Sequence, residues 1–159
     1  MSQRDPWDIK DPVELLAEVD RLCPLRAGQV VVAAVEIASQ NVTDARVASL
    51  DALPDEYPYG SQLVRGLAEV MVPERWSVTQ DHGGMSHVLV TIVCREGRAF
   101  PGSGELAWCR AWRYANHHRG AFDGSVYVVT PHGWTGLFDE RAGFEPCLTR
   151  PALTLTAAI

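Results

Sequence analysis

The sequence predicts a single α+β domain, with α/β as the near alternative, built on a mixed central sheet of about six strands and three to four helices. Three observations lead to this. The stretch "HVLVTIVC" (87–94) is almost wholly apolar and β-branched, which suits a strand buried on both faces. "DPVELLAEVDRLC" and "ELAWCRAWRYANHHR" carry apolar residues at intervals of three and four, the period of a helix that buries one stripe. A buried strand, a glycine-containing loop, a helix and the strand "SVYVVT" then follow one another at the length a parallel crossover needs.

Residues 1–10 read as a flexible N-terminus and 11–159 as the domain. The first helix has Asp11 as N-cap, Pro12 in the first turn and Glu14 in the capping-box position, with Leu15, Leu16, Val19, Leu22 and Cys23 on one stripe. It is expected to begin near residue 12 and to stop before Pro24. "GQVVVAAVEIA" and "ARVASLDAL" read as a pair of strands joined through "SQNVTD", and "LPDEYPYGS" as a loop. A second helix fits "SQLVRGLAEVMV" behind Ser61 as cap, though Gly66 weakens it. "RWSVTQ" and "HVLVTIVC" flank the turn "DHGGMS" as two further strands. After "REGRAFPGSG" the third helix runs over 104–119, and "FDG" turns the chain into "SVYVVT". "PHGWTGLFDERAGF" admits a hairpin or a short helix through Trp134, Leu137, Phe138 and Arg141 closed by Gly143; the helix is the favoured reading. "ALTLTAA" is expected to be a last strand.

The chain of 159 residues has 47% hydrophobic and 21% charged residues, values of an ordinary globular domain with a sizeable core. A net charge of −6 argues against strong non-specific nucleic-acid binding, which needs a surplus of basic residues on one face. No apolar run approaches a membrane span and the polar start is unlike a signal peptide, so a cytoplasmic protein without membrane attachment is expected. Cys23, Cys94, Cys109 and Cys147 are widely spaced, which suits reduced thiols better than a zinc knuckle or redox pair. Walker, zinc-protease, zinc-deaminase and serine-hydrolase patterns are missing, and the one lysine, Lys10, stands far from any nuclease-like acidic motif. The five histidines, His82, His87, His117, His118 and His132, lack local metal-ligand spacing, so no metal site is predicted.

From Val88 to about Leu148, the elements "VLVTIVCREGRAFPGSGEL", "RGAFDGSVYVVT" and "LFDERAGFEP" resemble the acetyl-CoA-dependent N-acetyltransferase (GNAT) superfamily. The resemblance implies acyl transfer from acetyl-CoA or another acyl-CoA to an amine acceptor, a small molecule or a protein. The family cradles the cofactor pyrophosphate on amides where a glycine-containing loop enters a helix, a use of the unsatisfied N–H groups and dipole of a helix start. Here that implies Gly102, Ser103 and Gly104, with Cys94 at the end of the strand and Arg95 or Arg98 supplying charge. The resemblance further implies a pocket between splayed central strands, with Glu36 or His87 as general base and His132 or Asp139 near the leaving group. The chain departs from the family in three places. Ala99 stands where the family has Arg or Gln, Pro101 removes an amide donor, and Phe138 and Asp139 occupy the region of the family's tyrosine acid.

Apart from any family, the third helix presents Trp108, Ala111, Trp112 and Ala115 on one face, as core, and Arg110, Arg113 and His117 on another. The second face suits an anionic ligand or the acidic surface of a partner. The alternative function is therefore a non-catalytic interaction or regulatory domain, acting as a homodimer or as a subunit of a heteromer. The adjacent His117 and His118 are read as closing the helix, where imidazole interacts favourably with its dipole.

Overall fold

The computed structural model describes residues 8–49, 59–72, 85–115, 117, 119–138 and 141–149. The expected strands "RWSVTQ" and "ALTLTAA" lie outside them, as do His82, His118 and Asp139. The described elements are α1 (Pro12–Leu22), β1 (Val30–Glu36), β2 (Val42–Ser49), α2 (Tyr59–Met71), β3 (His87–Cys94), α3 (Ser103–Arg113), β4 (Ala121–Thr130), β5 (Gly133–Gly136) and β6 (Ala142–Gly143). They form a mixed six-stranded sheet with three helices, the α+β architecture expected from the sequence.

The strand order is β2-β1-β3-β4-β5-β6. Only β3 and β4 are parallel, joined by the crossover through α3; the remaining neighbours are antiparallel. Two apolar layers follow from strand alternation. On one face, Val31, Ala33 and Val35 of β1, Val88, Val90 and Ile92 of β3, and Tyr127 and Val129 of β4 pack with Leu15, Leu16 and Val19 of α1. On the other face, Val32, Leu89, Val93 and Val126 pack with Val64 and Ala68 of α2 and Trp108, Ala111 and Trp112 of α3. A sheet covered on both sides explains why β3 is buried at every position.

α1 begins as its sequence dictates: Asp11 caps it, its carboxylate accepting from the Glu14 amide at 3.1 Å. α2 begins earlier than expected, at Tyr59, so Ser61 is a buried residue inside the helix and not its cap. α3 is capped at Gly102, with Ser103 its first residue, and it ends at Arg113, six residues before the expected end. The Ala115 amide returns to the Trp112 carbonyl at 3.1 Å, turning the chain out of the helix. Thus His117 and Arg119 lie outside the helix, and "FDG" is not a turn, because β4 already starts at Ala121.

The segment after β4 is the hairpin β5–β6, not the favoured short helix. Gly133 has φ +132°, and a Cβ there would stand 2.2 Å from the Gly143 carbonyl oxygen, so the close approach of the two strands requires glycine. Trp134 anchors the hairpin, its indole donating to the Glu145 carbonyl at 2.9 Å and its ring packing edge-on against Tyr127.

One polar pair ties α3 to the sheet. Thr91, in the middle of β3, is 1% exposed, and its hydroxyl accepts from Trp112 Nε1 at 2.7 Å. An unpartnered buried indole N–H costs about 1–3 kcal/mol. Thr91→Val, which keeps the shape but removes the acceptor, is expected to lower the unfolding free energy in denaturant titration by that amount, about 1–3 kcal/mol. Thr91→Ser is expected to retain most of it. Equal midpoints for Thr91→Val and the parent would show that the bond does not fix the helix.

Candidate functional site

A cleft of about 550 Å³ opens beside α3. One wall is α3 and its C-cap, contributing Leu106, Cys109, Arg110, Trp112, Arg113 and Tyr114; the other is Asp123, Gly124 and Val126 of β4, with Phe138 after β5. Leu106, Tyr114 and Phe138 are 53%, 49% and 66% exposed, an apolar and aromatic rim that a monomer leaves in water. Arg110 and Arg113, both exposed, come from successive turns of the helix.

The β4 wall is shaped by a bulge. The register with β3 slips between Leu89 and Thr91, so that β4 holds one residue more than its partner between Asp123 and Val126. In a strand without a bulge, Asp123 and Val126, three residues apart, would face opposite sides; with the bulge both line the cleft, while Tyr127 and Val129 lie under α1. Gly124 is required here, because a Cβ would stand 2.2 Å from Val88 Cγ1.

His117 clasps this wall to the end of α3. Its Nε2 lies 2.5 Å from Asp123 Oδ1, and its ring meets Trp112 edge-on at a centroid distance of 6.1 Å. The residue expected to finish the helix thus serves a different purpose: it closes the connection from α3 to β4. Burial pushes the thiol of Cys109, in the cleft wall, up to about 11, which disfavours its thiolate form.

The residues implied by the acyltransferase resemblance fall into two groups at opposite ends of β3. At its start, Glu36 and His87 are cross-strand partners. His87 is buried, its Nδ1 2.6 Å from Ser86 Oγ, which itself donates to the Gly120 carbonyl at 3.1 Å. Glu36 is exposed and accepts from Ser39 Oγ at 2.8 Å. At the far end, seven residue steps or about 23 Å along the strand, lie Cys94, Arg95, Arg98 and the loop to Gly102–Gly104. His132 is on that side too, exposed in the turn between β4 and β5. Asp139 lies outside the described residues. Between the two groups β3 and β4 stay paired, apart from the bulge, where the resemblance implies splayed strands.

The loop itself is organised around Arg95. Its guanidinium donates to Glu105 Oε1 through Nε and Nη2, both at 2.9 Å, and to the carbonyls of Glu96, Arg98 and Phe100. Glu105, only 2% exposed, sits in the first turn of α3, where a carboxylate also favours the helix dipole. Arg95 is therefore spent on holding the loop and the buried carboxylate together. Ser103 and Gly104 are exposed, and nothing lies within 4 Å of a Cβ built at Gly104. Cys94 is buried, and its thiol is pushed up to about 12, first by burial and then by the Asp20 charge.

Among the described residues no group of three or more His, Cys, Asp or Glu side chains is placed to hold a metal ion, and no helix is long and apolar enough to cross a membrane. Comparison with family models, curated proteins and solved structures returns no match.

Burial holds the His87 pKa below the ordinary imidazole value, and the nearby Glu36 charge offsets this only in part. A depressed histidine binds fewer protons folded than unfolded, so stability is complete above the unfolded pKa of about 6.5 and falls as pH drops through it. His87→Gln is expected to flatten the loss of melting temperature between neutral and mildly acidic pH. An unchanged slope in that variant would mean that other groups carry the acid sensitivity.

Proposed function

We propose that this chain is a non-catalytic binding domain with a regulatory or assembly role, and that the cleft beside α3 takes an anionic group on Arg110 and Arg113. The observation that carries this reading is the placement of two exposed arginines along an apolar cleft on a chain whose net charge is −6. Low-dielectric walls strengthen the field of such a pair, and guanidinium forks form charge-assisted hydrogen bonds to carboxylate or phosphate. The volume lies within the range of small-molecule sites, about 300–1,000 Å³. The four cysteines, all free thiols, fit work in a reducing compartment such as the cytoplasm.

Acyl transfer from an acyl-CoA to an amine is the second reading. What favours it is the parallel β3–α3–β4 crossover, with Gly102 and Gly104 where α3 begins. In that case the α3 N-terminus would hold the pyrophosphate, and Glu36 or His87 would take the amine proton.

The two readings place their ligands at different ends of α3, so charge reversal separates them. Titration with inorganic phosphate at constant ionic strength is expected to raise the melting temperature of the parent chain but not of Arg110→Glu/Arg113→Glu, since only the native state offers the paired site. A rise with acetyl-CoA that survives this double substitution and disappears when Gly102 and Gly104 are made bulky would overturn the binding-domain reading in favour of acyl transfer.

A further inference from the structure

Strand β2 forms one edge of the sheet, with β1 and β3 between it and the β4 wall of the cleft. Among the described residues only β1 pairs with it. An edge strand presents backbone N–H and C=O groups that can template a further strand, and bulges, charges or proline blunt such edges. In β2 the irregularities lie at the two ends. The register with β1 slips between Val30 and Val31 and again between Ala34 and Val35, but Asp44, Ala45, Arg46 and Val47 face Ala34, Ala33, Val32 and Val31 without a break. Val47 is 41% exposed although its cross-strand neighbour Val31 is wholly buried on the α1 side of the sheet. The apolar layer under α1 thus runs out to the edge unfinished. On the other face, Arg46 Nε donates to Asp44 Oδ2 at 2.9 Å, and the two side chains are 50% and 28% exposed.

These two charges stand symmetrically about Ala45 and are opposite in sign, so the middle of β2 is complementary to its own sequence read backwards. In an antiparallel pairing of two copies with Ala45 opposite Ala45, Asp44 faces the partner's Arg46, and Arg46 faces the partner's Asp44. A slip of one residue sends the α1 layers of the two copies to opposite faces. A slip of two sets Asp44 on the partner's Asp44 or Arg46 on the partner's Arg46. Opposite charges directly across a ladder stabilise it and like charges destabilise it, so one register is singled out. In that register Val47 lies across from the partner's Thr43 and diagonal to the partner's Ala45, which covers the exposed valine. We propose that β2 is a self-pairing edge, through which the chain forms a dimer about a two-fold axis at Ala45, joining two six-stranded sheets into one. The cleft lies across the sheet from this edge, so the dimer leaves it open and the inference does not depend on the ligand reading.

Sedimentation velocity of the full chain, from micromolar to sub-millimolar concentration, tests it. The parent is expected to move from monomer to dimer over this range. Asp44→Arg and Arg46→Asp, each alone, are expected to weaken self-association by at least about tenfold, because each turns both reciprocal contacts into like-charge contacts. An equimolar mixture of the two variants is expected to recover the parent's affinity as a heterodimer, since every cross-strand charge then meets its opposite. Neither variant keeps the Asp44–Arg46 pair within its own chain, so recovery reads the contact between copies and requires both variants to be folded. A parent that stays monomeric overturns the proposal without any variant. A dimer unaffected by either substitution, or a mixture as weak as the separate variants, overturns it as well.

Discussion

Strand β3 cannot leave either face to water, because all eight of its residues are buried. Two layers must therefore cover it, and the polar side chain at its centre, Thr91, must find a partner within them. α1 supplies one layer, while α2 and α3 supply the other. The partner is Trp112, whose indole donates to Thr91 across the helix–sheet interface. This bond fixes α3 both along and around its axis. It turns Trp108 and Trp112 into the core, so that Arg110 and Arg113, at neighbouring helical positions, stand at the cleft. The cleft is a consequence of how the sheet is covered.

The two ends of α3 are closed by different chemistry, and the difference bears on function. At the N-terminus Arg95 and the buried Glu105 neutralise each other, with three loop carbonyls on the same guanidinium. A buried carboxylate deprived of such a partner costs roughly 3–5 kcal/mol, so this end is built for structure. At the C-terminus Arg110 and Arg113 line an open cleft, and His117 is bonded to Asp123. Two exposed arginines of the helix, Arg110 and Arg113, thus stand toward the end opposite the glycine-containing loop.

Much of the fold was legible. The buried strand, the crossover, the first helix with its Asp11 cap and the tryptophan stripe all follow from local periodicity, and the structure has each of them. What local pattern missed was decided by contacts between elements. "YANHHR" has nothing that forbids a helix, but Trp112 is held by Thr91 and His117 reaches Asp123, so the chain leaves the helix at Tyr114. The hairpin after β4 was hidden by a coincidental helical spacing of Trp134, Leu137, Phe138 and Arg141. Its signal was Gly133, whose left-handed φ and contact with Gly143 only a hairpin explains. In the cleft, Arg110 and Arg113 were visible as a helix face; Glu36 and His87, implied only as alternative bases, lie outside it as cross-strand partners. Asp123 was invisible, because the bulge beside it is a matter of register with β3, and the close approach of Val88 that requires glycine at 124 comes from another strand.

Backbone amide and arginine side-chain resonances followed during titration with inorganic phosphate would locate the anion directly. Shifts confined to Arg110, Arg113 and the adjoining Asp123–Val126 segment are expected from the geometry of the cleft. Shifts centred on Gly102–Gly104, with Arg110 and Arg113 unmoved, would contradict the account and place the functional end of α3 at its N-terminus.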